Sequence, residues 1–304
     1  MIYTLTLNPS IDYIMPIGDI NLGATNYTKG EYMFPGGKGI NVSRVLNQLD
    51  VQNKALGFIG GHIGKFIEEW LKNEGADYEF IPVDGQTRIN VKLKGAEETE
   101  INGIGPNISE ADSQQLKDQI SELTSEDLLL ISGSKNKGLS ETFYHEIIEI
   151  CDENQVSFVI DTNSKELLEA LKFNPYLVKP NQAELGDLFD ESIESQEDAV
   201  YYGKKLQDAG AQNVIVSLGG DGAIFIDGDK TYIADSLKGS AINTVGAGDS
   251  MIAGFMAGID KGLSKLEAFK LSVQSGSATA FNEDLATKEA ILKLDNQVNI
   301  REVE

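Results

Sequence analysis

The sequence predicts an α/β protein: a doubly wound, mostly parallel sheet flanked by helices, with a small β-sheet lid. Short apolar runs bounded by turn residues alternate with segments of helical period, the pattern of strand–helix–strand units. Two stretches, about residues 11–34 and 85–104, break that rhythm with β-type runs and no convincing helix. We read residues 1–304 as one domain, with the lid formed from those two stretches.

Taken in order, Tyr3–Leu7 is a short β-rich run closed by Asn8-Pro9-Ser10. Val42, Val45, Leu46 and Leu49 make one helical stripe. Ile63, Phe66, Ile67, Trp70 and Leu71 make a second, and Tyr144, Ile147, Ile148 and Cys151 a third. Buried-strand candidates are Leu128–Ser132, Ser157–Asp161, Val214–Ser217 and Ala223–Asp227. The last third adds helices over about Gly248–Lys261, Leu266–Phe281 and Lys288–Leu294. The lid stretch Thr87–Lys94 reads TRINVKLK. Its even positions are Arg88, Asn90, Lys92 and Lys94; its odd positions Ile89, Val91 and Leu93 are apolar. A strand's period of two separates these sets onto opposite faces. The simpler alternative is a solvated antiparallel edge.

Composition narrows the function. The 304 residues carry 25 Lys+Arg against 48 Asp+Glu, a formal net charge of −23. Duplex nucleic acid and anionic membranes favour a basic face, so neither is expected as a partner. No apolar run approaches the roughly 18 residues of a spanning helix. MIYTLTLN has no basic or long apolar leader segment, so no signal peptide is expected. With Cys151 the single cysteine, the expected compartment is the reducing cytoplasm.

Neither a P-loop nor a G-x-G-x-x-G turn is present. Instead, NTVGAGDS (243–250) runs into the apolar MIAGFMAGI. A glycine-rich turn opening a helix offers free N–H groups and the positive end of the helix dipole, which suit an anion. It also puts Asp249 at the helix start, where a carboxylate could equally be only a cap. PGGKGINVSR (35–44) surrounds Lys38 with glycines before an amphipathic helix; Lys38 and Asn41 would face a ligand, or the segment is a plain flexible turn. KPNQAE (179–184) reads as a capping box, or as Asn181 and Glu184 holding waters around Mg²⁺ with Lys179 near phosphate. SLGGDG (217–222) is a hairpin turn by itself.

In this order, GGKGINVSR, KPNQAE and NTVGAGDS resemble the signatures of the PfkB (ribokinase-like) family of carbohydrate kinases. The resemblance runs from TLNPSID (6–12) to TAFNEDLAT (279–287) and implies the ribokinase-like fold. TLNPSID, TRINVK and ETEING favour ATP-dependent phosphorylation of fructose 1-phosphate to fructose 1,6-bisphosphate. Tagatose 6-phosphate, converted to tagatose 1,6-bisphosphate, is the alternative, and a ribokinase-like protein that binds without turnover a minor one. The resemblance implies Asp249 as base and, in the turn opened by Gly246, the N–H groups of Ala247, Gly248 and Asp249 as the anion hole for the transferring phosphoryl group. It implies Asp12, Gly37, Lys38, Asn41, Arg88, Asn90, Lys92 and Ser132 at the phosphosugar. Lys179, Ser217, Gly219, Gly220 and Gly222 would serve ATP, and Asn181 and Glu184 would hold Mg²⁺ through water. Arg88, on the polar strand face, is expected to grip the substrate's phosphate with Lys38 or Lys92 assisting. The apolar lid face needs cover, and the resemblance implies a homodimer through the lid, since lid sheets of two subunits often pack together in this family. One departure lies in SGSKNKGL (132–139), where Lys135-Asn136 replaces the Leu-Pro usual in the family and is expected to alter a loop near the sugar.

Overall fold

A computed structural model describes residues 1–95, 97–162 and 166–303. The chain begins with β1 (Ile2–Thr6), β2 (Ser10–Pro16), β3 (Tyr32–Gly36) and helix α1 (Lys38–Gln48). β4 (Asn53–Ile59), α2 (Gly61–Glu74), β5 (Asp77–Pro82), β6 (Arg88–Lys94) and β7 (Glu98–Asn102) follow. The middle alternates α3 (Glu110–Ser121), β8 (Leu128–Ser132), α4 (Phe143–Glu153), β9 (Ser157–Asp161) and α5 (Glu166–Ala170). Next come β10 (Leu177–Val178), α6 (Gln182–Phe189), α7 (Gln196–Asp208), β11 (Val214–Ser217), β12 (Ala223–Asp227) and β13 (Lys230–Ala234). The last elements are α8 (Ala247–Asp260), α9 (Lys265–Ala280), α10 (Lys288–Leu292) and β14 (Ile300–Val303).

The large sheet runs in the order β14-β13-β12-β11-β10-β9-β8-β1-β4-β5. From β5 to β11 its pairings are parallel; β12, β13 and β14 join antiparallel at one edge. The four strand candidates from β8 to β12 match the observed spans; the first strand lies one residue earlier than Tyr3–Leu7, and α10 stops at Leu292. β4 and β5 were not separated from the neighbouring helical patterns, and β10, β13 and β14 lack a strong signal of their own. β10 has two residues and β14 is only half-buried, so neither shows a run long enough for periodicity to register.

Both faces of the sheet are covered, which explains its near-continuous apolar strands. Along β8, Leu129 and Ile131 join the core under α3–α7, while Leu130 joins the core under α1 and α8–α10. Cys151 lies in the first of these cores, and burial pushes its thiol up to about 12, so it packs as an inert hydrophobe. Phe225 of β12 lies 5.3 Å from Phe255 of α8 and 5.2 Å from Phe269 of α9 between ring centroids. These contacts pin α8 against the sheet.

The lid is a separate sheet in the order β3-β2-β6-β7. It comes from the two stretches that break the α/β rhythm. β6 pairs parallel with β2 and aligns Arg88 with Ser10 and Asn90 with Asp12. The polar set is turned inward, for Asn90 and Lys92 are buried while Ile89 is 39% exposed. A solvated edge would have the reverse pattern.

Candidate active site

A doubly wound sheet leaves a crevice where neighbouring crossovers depart to opposite sides, at the carboxyl ends of its strands. Here β1 sits between β8 and β4. The carboxyl-end residues Thr6, Ser132, Asp161 and Ser217, with Lys179 just beyond β10, line one cavity of about 440 Å³. α1 contributes Lys38 and Asn41, preceded by Gly37; the lid contributes Asp12, Arg88, Asn90 and Lys92; Gly246, Gly248 and Asp249 close it from α8. Asn181 and Glu184 stand at its rim.

A second cavity, of about 490 Å³, adjoins the first and shares Asn181, Ser217 and Gly248 with it. Gly219, Gly220, Gly222 and Ala247 line it with Met251, Val273, Gly276 and Phe281. Every residue that the resemblance assigns to the site therefore lines one cavity or the other. The SLGGDG turn does join two antiparallel strands, and its glycines also form a wall of the second cavity.

α8 begins at Gly246, whose φ of 77° is the left-handed conformation that glycine adopts without strain. The Ala247 amide donates to Thr244 O at 3.2 Å, closing the turn. This corrects the expectation that Ala247 offers its N–H to an anion: Gly248 and Asp249 supply the amides of the first helical turn, where no intrahelical acceptor exists. Lys179 Nζ reaches this helix end so closely that a Cβ on Gly248 would lie 3.0 Å from it.

Asp249 is 6% exposed and accepts a 2.8 Å hydrogen bond from Asn41 Nδ2. Burial and the neighbouring Asp161 charge raise its pKa, while Lys38, Asn41 and Lys179 pull it back; the balance puts it at about 6. A carboxylate so placed is ionised at neutral pH and still basic enough to take a proton. Asp161 is buried too, but Lys179 and Lys38, at 3.8 and 3.0 Å, overcome the cost of burial and hold its carboxyl below the usual range. Burial works against the Lys38 charge, yet Asp161, Asp249 and Glu184 raise its pKa well above that of an ordinary lysine. Asp161 was not singled out in the sequence. Its signal was its place at the carboxyl end of a predicted parallel strand.

At the lid, Arg88 donates from Nε to Asn8 O at 3.1 Å and from Nη1 to Gly103 O at 3.3 Å, orienting its guanidinium at the cavity wall. Lys92 is held by Glu100 at 3.1 Å and Asp12 at 3.7 Å. Its charge is thus partly neutralised before any ligand arrives, as is that of Lys38. Asn90 donates to Ser10 Oγ and Asp12 Oδ1, both at 3.1 Å, and its buried Oδ1 has no protein donor. Lys135 and Asn136 lie behind this wall: Asn136 donates to Pro106 O at 2.7 Å and Lys135 pairs with Glu166. Asn136 thereby ties down the lid's return segment, and neither side chain lies on the cavity.

At the rim, Asn181 caps α6, accepting from the Glu184 amide at 2.8 Å while Glu184 Oε2 accepts from the Asn181 amide at 2.8 Å. The capping-box reading of KPNQAE therefore holds. The other carboxylate oxygen, Oε1, lies 3.8 Å from Lys38 Nζ on the cavity side. Among the described residues no three His, Cys, Asp or Glu side chains gather as a metal cage.

The family described as pfkB family carbohydrate kinase matches residues 5–290. The chain belongs to the pfkB family of carbohydrate kinases. The resemblance seen in the three signature segments is borne out over nearly the whole length. The kinase is 47% identical to 1-phosphofructokinase of Bacillus subtilis (strain 168), across 99% of both chains. It is 38% identical to D-tagatose-1-phosphate kinase of Bacillus licheniformis, again across 99% of both. A crystal structure of phosphofructokinase-2 from Escherichia coli in complex with substrates and products superposes with a TM-score of 0.91 at 29% identity, covering 97% of this chain and 98% of that one.

The Asn41–Asp249 bond yields a pH prediction for this kinase. Asn41 stabilises the ionised form of Asp249, so Asn41→Ala raises its pKa above about 6. The acid limb of kcat/KM, lost as pH falls through that value, should move to higher pH in the variant. A pH–rate profile with an unmoved acid limb would show that Asp249 is not the titrating group.

Proposed function

We propose that this kinase transfers the γ-phosphoryl group of ATP to the free primary hydroxyl of fructose 1-phosphate, giving fructose 1,6-bisphosphate and ADP. The observation that carries this reading is one cavity with a cationic end and a basic end. Arg88 stands on the lid, Asp249 at the head of α8, and the second cavity joins at Gly248, between acceptor and nucleotide. The 47% identity to 1-phosphofructokinase supports the choice of acceptor. The 34% identity to tagatose-6-phosphate kinase of Staphylococcus epidermidis, over 85% of both chains, supports the alternative acceptor tagatose 6-phosphate, and the 38% identity to D-tagatose-1-phosphate kinase supports tagatose 1-phosphate.

In this reading the phosphate already on the sugar lies against Arg88, with Lys92 beside it. Arg88's planar fork can hold two phosphate oxygens. Asp12 and Asn90 take sugar hydroxyls, and the unpartnered Asn90 Oδ1 is suited to accept from one. Gly37 lets the backbone approach the sugar closely, and Ser132 lines its side of the cavity. Asp249 takes the hydroxyl proton as that oxygen bonds to the γ-phosphorus and the bond to ADP breaks. The Gly248 and Asp249 amides and Lys179 neutralise charge on the transferring group, which is most of what phosphoryl transfer asks of a protein. Ser217, Gly219, Gly220 and Gly222 border the nucleotide. Mg²⁺, when bound, would add charge neutralisation at the phosphates. Glu184 Oε1, beside Asn181, is the oxygen suited to hold its waters, since an ion that keeps several waters needs few protein ligands.

Lid packing supports a homodimer. Met33, Tyr13, Val91 and Ile101 align in one row across all four lid strands, on the face away from Asp12 and Asn90. Met33 is 46% and Ile101 60% exposed, and a second copy of the lid would cover the row. Sedimentation velocity should give a dimer, and Val91→Lys with Ile101→Lys should give a monomer. A monomeric wild type would remove the proposal.

The acceptor is tested by coupled ADP release with fructose 1-phosphate, tagatose 1-phosphate, tagatose 6-phosphate, fructose 6-phosphate and unphosphorylated sugars. The largest kcat/KM is expected with fructose 1-phosphate. Asp249→Asn should bind ATP normally and lose roughly 10²–10⁴-fold in kcat, the scale of a lost general base. Turnover within a few-fold of wild type would reduce Asp249 to a helix cap. Arg88→Ala should raise KM for the phosphosugar by roughly 10- to 150-fold, the equivalent of one charged hydrogen bond, with little change in KM for ATP. Equal weakening of both substrates would make β6 a structural strand.

A further inference from the structure

Arg44 closes the PGGKGINVSR segment, one turn beyond Asn41 on α1, and the chemistry above leaves it unused. It is only 4% exposed. Its guanidinium holds two carboxylates. Nε and Nη2 donate to Glu74 at 2.9 and 2.7 Å, and Nη1 and Nη2 donate to Asp284 at 3.1 and 2.6 Å. Glu74 also accepts from Trp70 Nε1 at 2.8 Å and belongs to α2. Asp284 belongs to the loop after α9 and leads back towards the catalytic turn.

That return path is continuous. Leu285 packs directly on Gly246, for a Cβ there would lie 2.7 Å from Leu285 Cδ2. The Ala286 amide donates to Thr279 Oγ1 at 3.1 Å, Thr279 and Ser250 hydroxyls lie 2.8 Å apart, and Ser250 Oγ donates to Gly246 O at 2.8 Å. Ser250 spends its single proton on Gly246, so Thr279 is the donor between the two hydroxyls. The chain thus runs one way, from Ala286 through Thr279 and Ser250 to the carbonyl of the residue that opens α8. Asn243 adds a parallel tie, donating to Glu283 O at 2.9 Å and accepting from the Val245 amide at 3.2 Å. The turn that presents Gly248 and Asp249 therefore rests on residues 279–286.

We propose that Arg44 and Asp284 are positioning residues for phosphoryl transfer: the ion pair between the buried Arg44 and the half-buried Asp284 locks the 282–286 loop beneath Gly246 and so sets the placement of the α8 amides and Asp249. Arg44 shares α1 with Asn41, which grips Asp249 directly. One helix thereby sets the base from in front and the turn from behind. The inference rests on the kinase reading above but not on the identity of the sugar. Glu74 anchors the same guanidinium to α2, away from the turn, and provides the contrast.

The test compares full-length Asp284→Ala, Thr279→Val, their double variant and Glu74→Gln with wild type, well below their melting temperatures. The phosphosugar is the one that wild type turns over fastest, so a wrong acceptor shows in the wild-type panel and not in these ratios. Misplacing reacting groups by an ångström can cost about 10²-fold. Asp284→Ala and Thr279→Val should each lower kcat by roughly 10- to 100-fold, with KM for sugar and ATP within about threefold. The double variant should be little worse than the poorer single one, because both break the same chain. Glu74→Gln should melt earlier yet keep kcat within about twofold. Thr279→Val preserves side-chain shape and carries the test if Asp284→Ala does not fold. Unchanged kcat in Thr279→Val and Asp284→Ala, losses that multiply in the double variant, or an equal loss in Glu74→Gln would overturn the proposal and leave Arg44 a structural staple.

Discussion

The hydrogen bond from Asn41 to Asp249 joins residues 208 positions apart, and the site is organised around it. It brings the head of α1 against the head of α8 at the mouth of the parallel sheet. A buried carboxylate tolerates that position only with compensation. Asn41 supplies a donor, and Lys38 and Lys179 supply charge, but Asp161 opposes them. The result is a carboxylate poised near pH 6. Without the opposing Asp161 it would be a weaker base; without the lysines its pKa would rise further.

Charge balance also explains how a chain of −23 can bind anionic ligands. Salt screens the surplus beyond roughly 8–10 Å. Inside the cavity each lysine is matched to an acid: Lys38 to Asp161 and Glu184, Lys92 to Asp12 and Glu100, Lys179 to Asp161. These pairs hold the cations in place before ligand arrives. Arg88 differs, since its protein partners are the neutral carbonyls of Asn8 and Gly103. It presents its charge to the cavity with less competition.

The lid shows how one strand serves two surfaces. β6 turns Arg88, Asn90 and Lys92 to the cavity and Ile89, Val91 and Leu93 away from it. Its parallel pairing with β2 brings Asp12 and Ser10 level with Asn90 and Arg88. The polar cavity wall and the apolar outer row are therefore fixed by the same register. A slip of one residue would exchange the two faces.

Much was legible in the sequence by itself. Apolar periodicity gave the layered α/β fold, because buried strands and amphipathic helices each leave a local pattern. Alternation at Thr87–Lys94 gave the two-faced lid strand, and the glycine-rich turns marked backbone that lines the two cavities. All of these are local signals. The partner of each residue was decided only by the tertiary structure. Nothing near Asp161 in the chain announces Lys38 or Lys179, and nothing near Arg44 announces Asp284. The Ala247 amide looked free because Thr244 closes on it only when the turn is folded. Sequence carries periodicity and turn chemistry within a few residues, whereas buried charge pairing, pKa and the exact donors at the α8 terminus depend on which strand ends and helix heads converge in space.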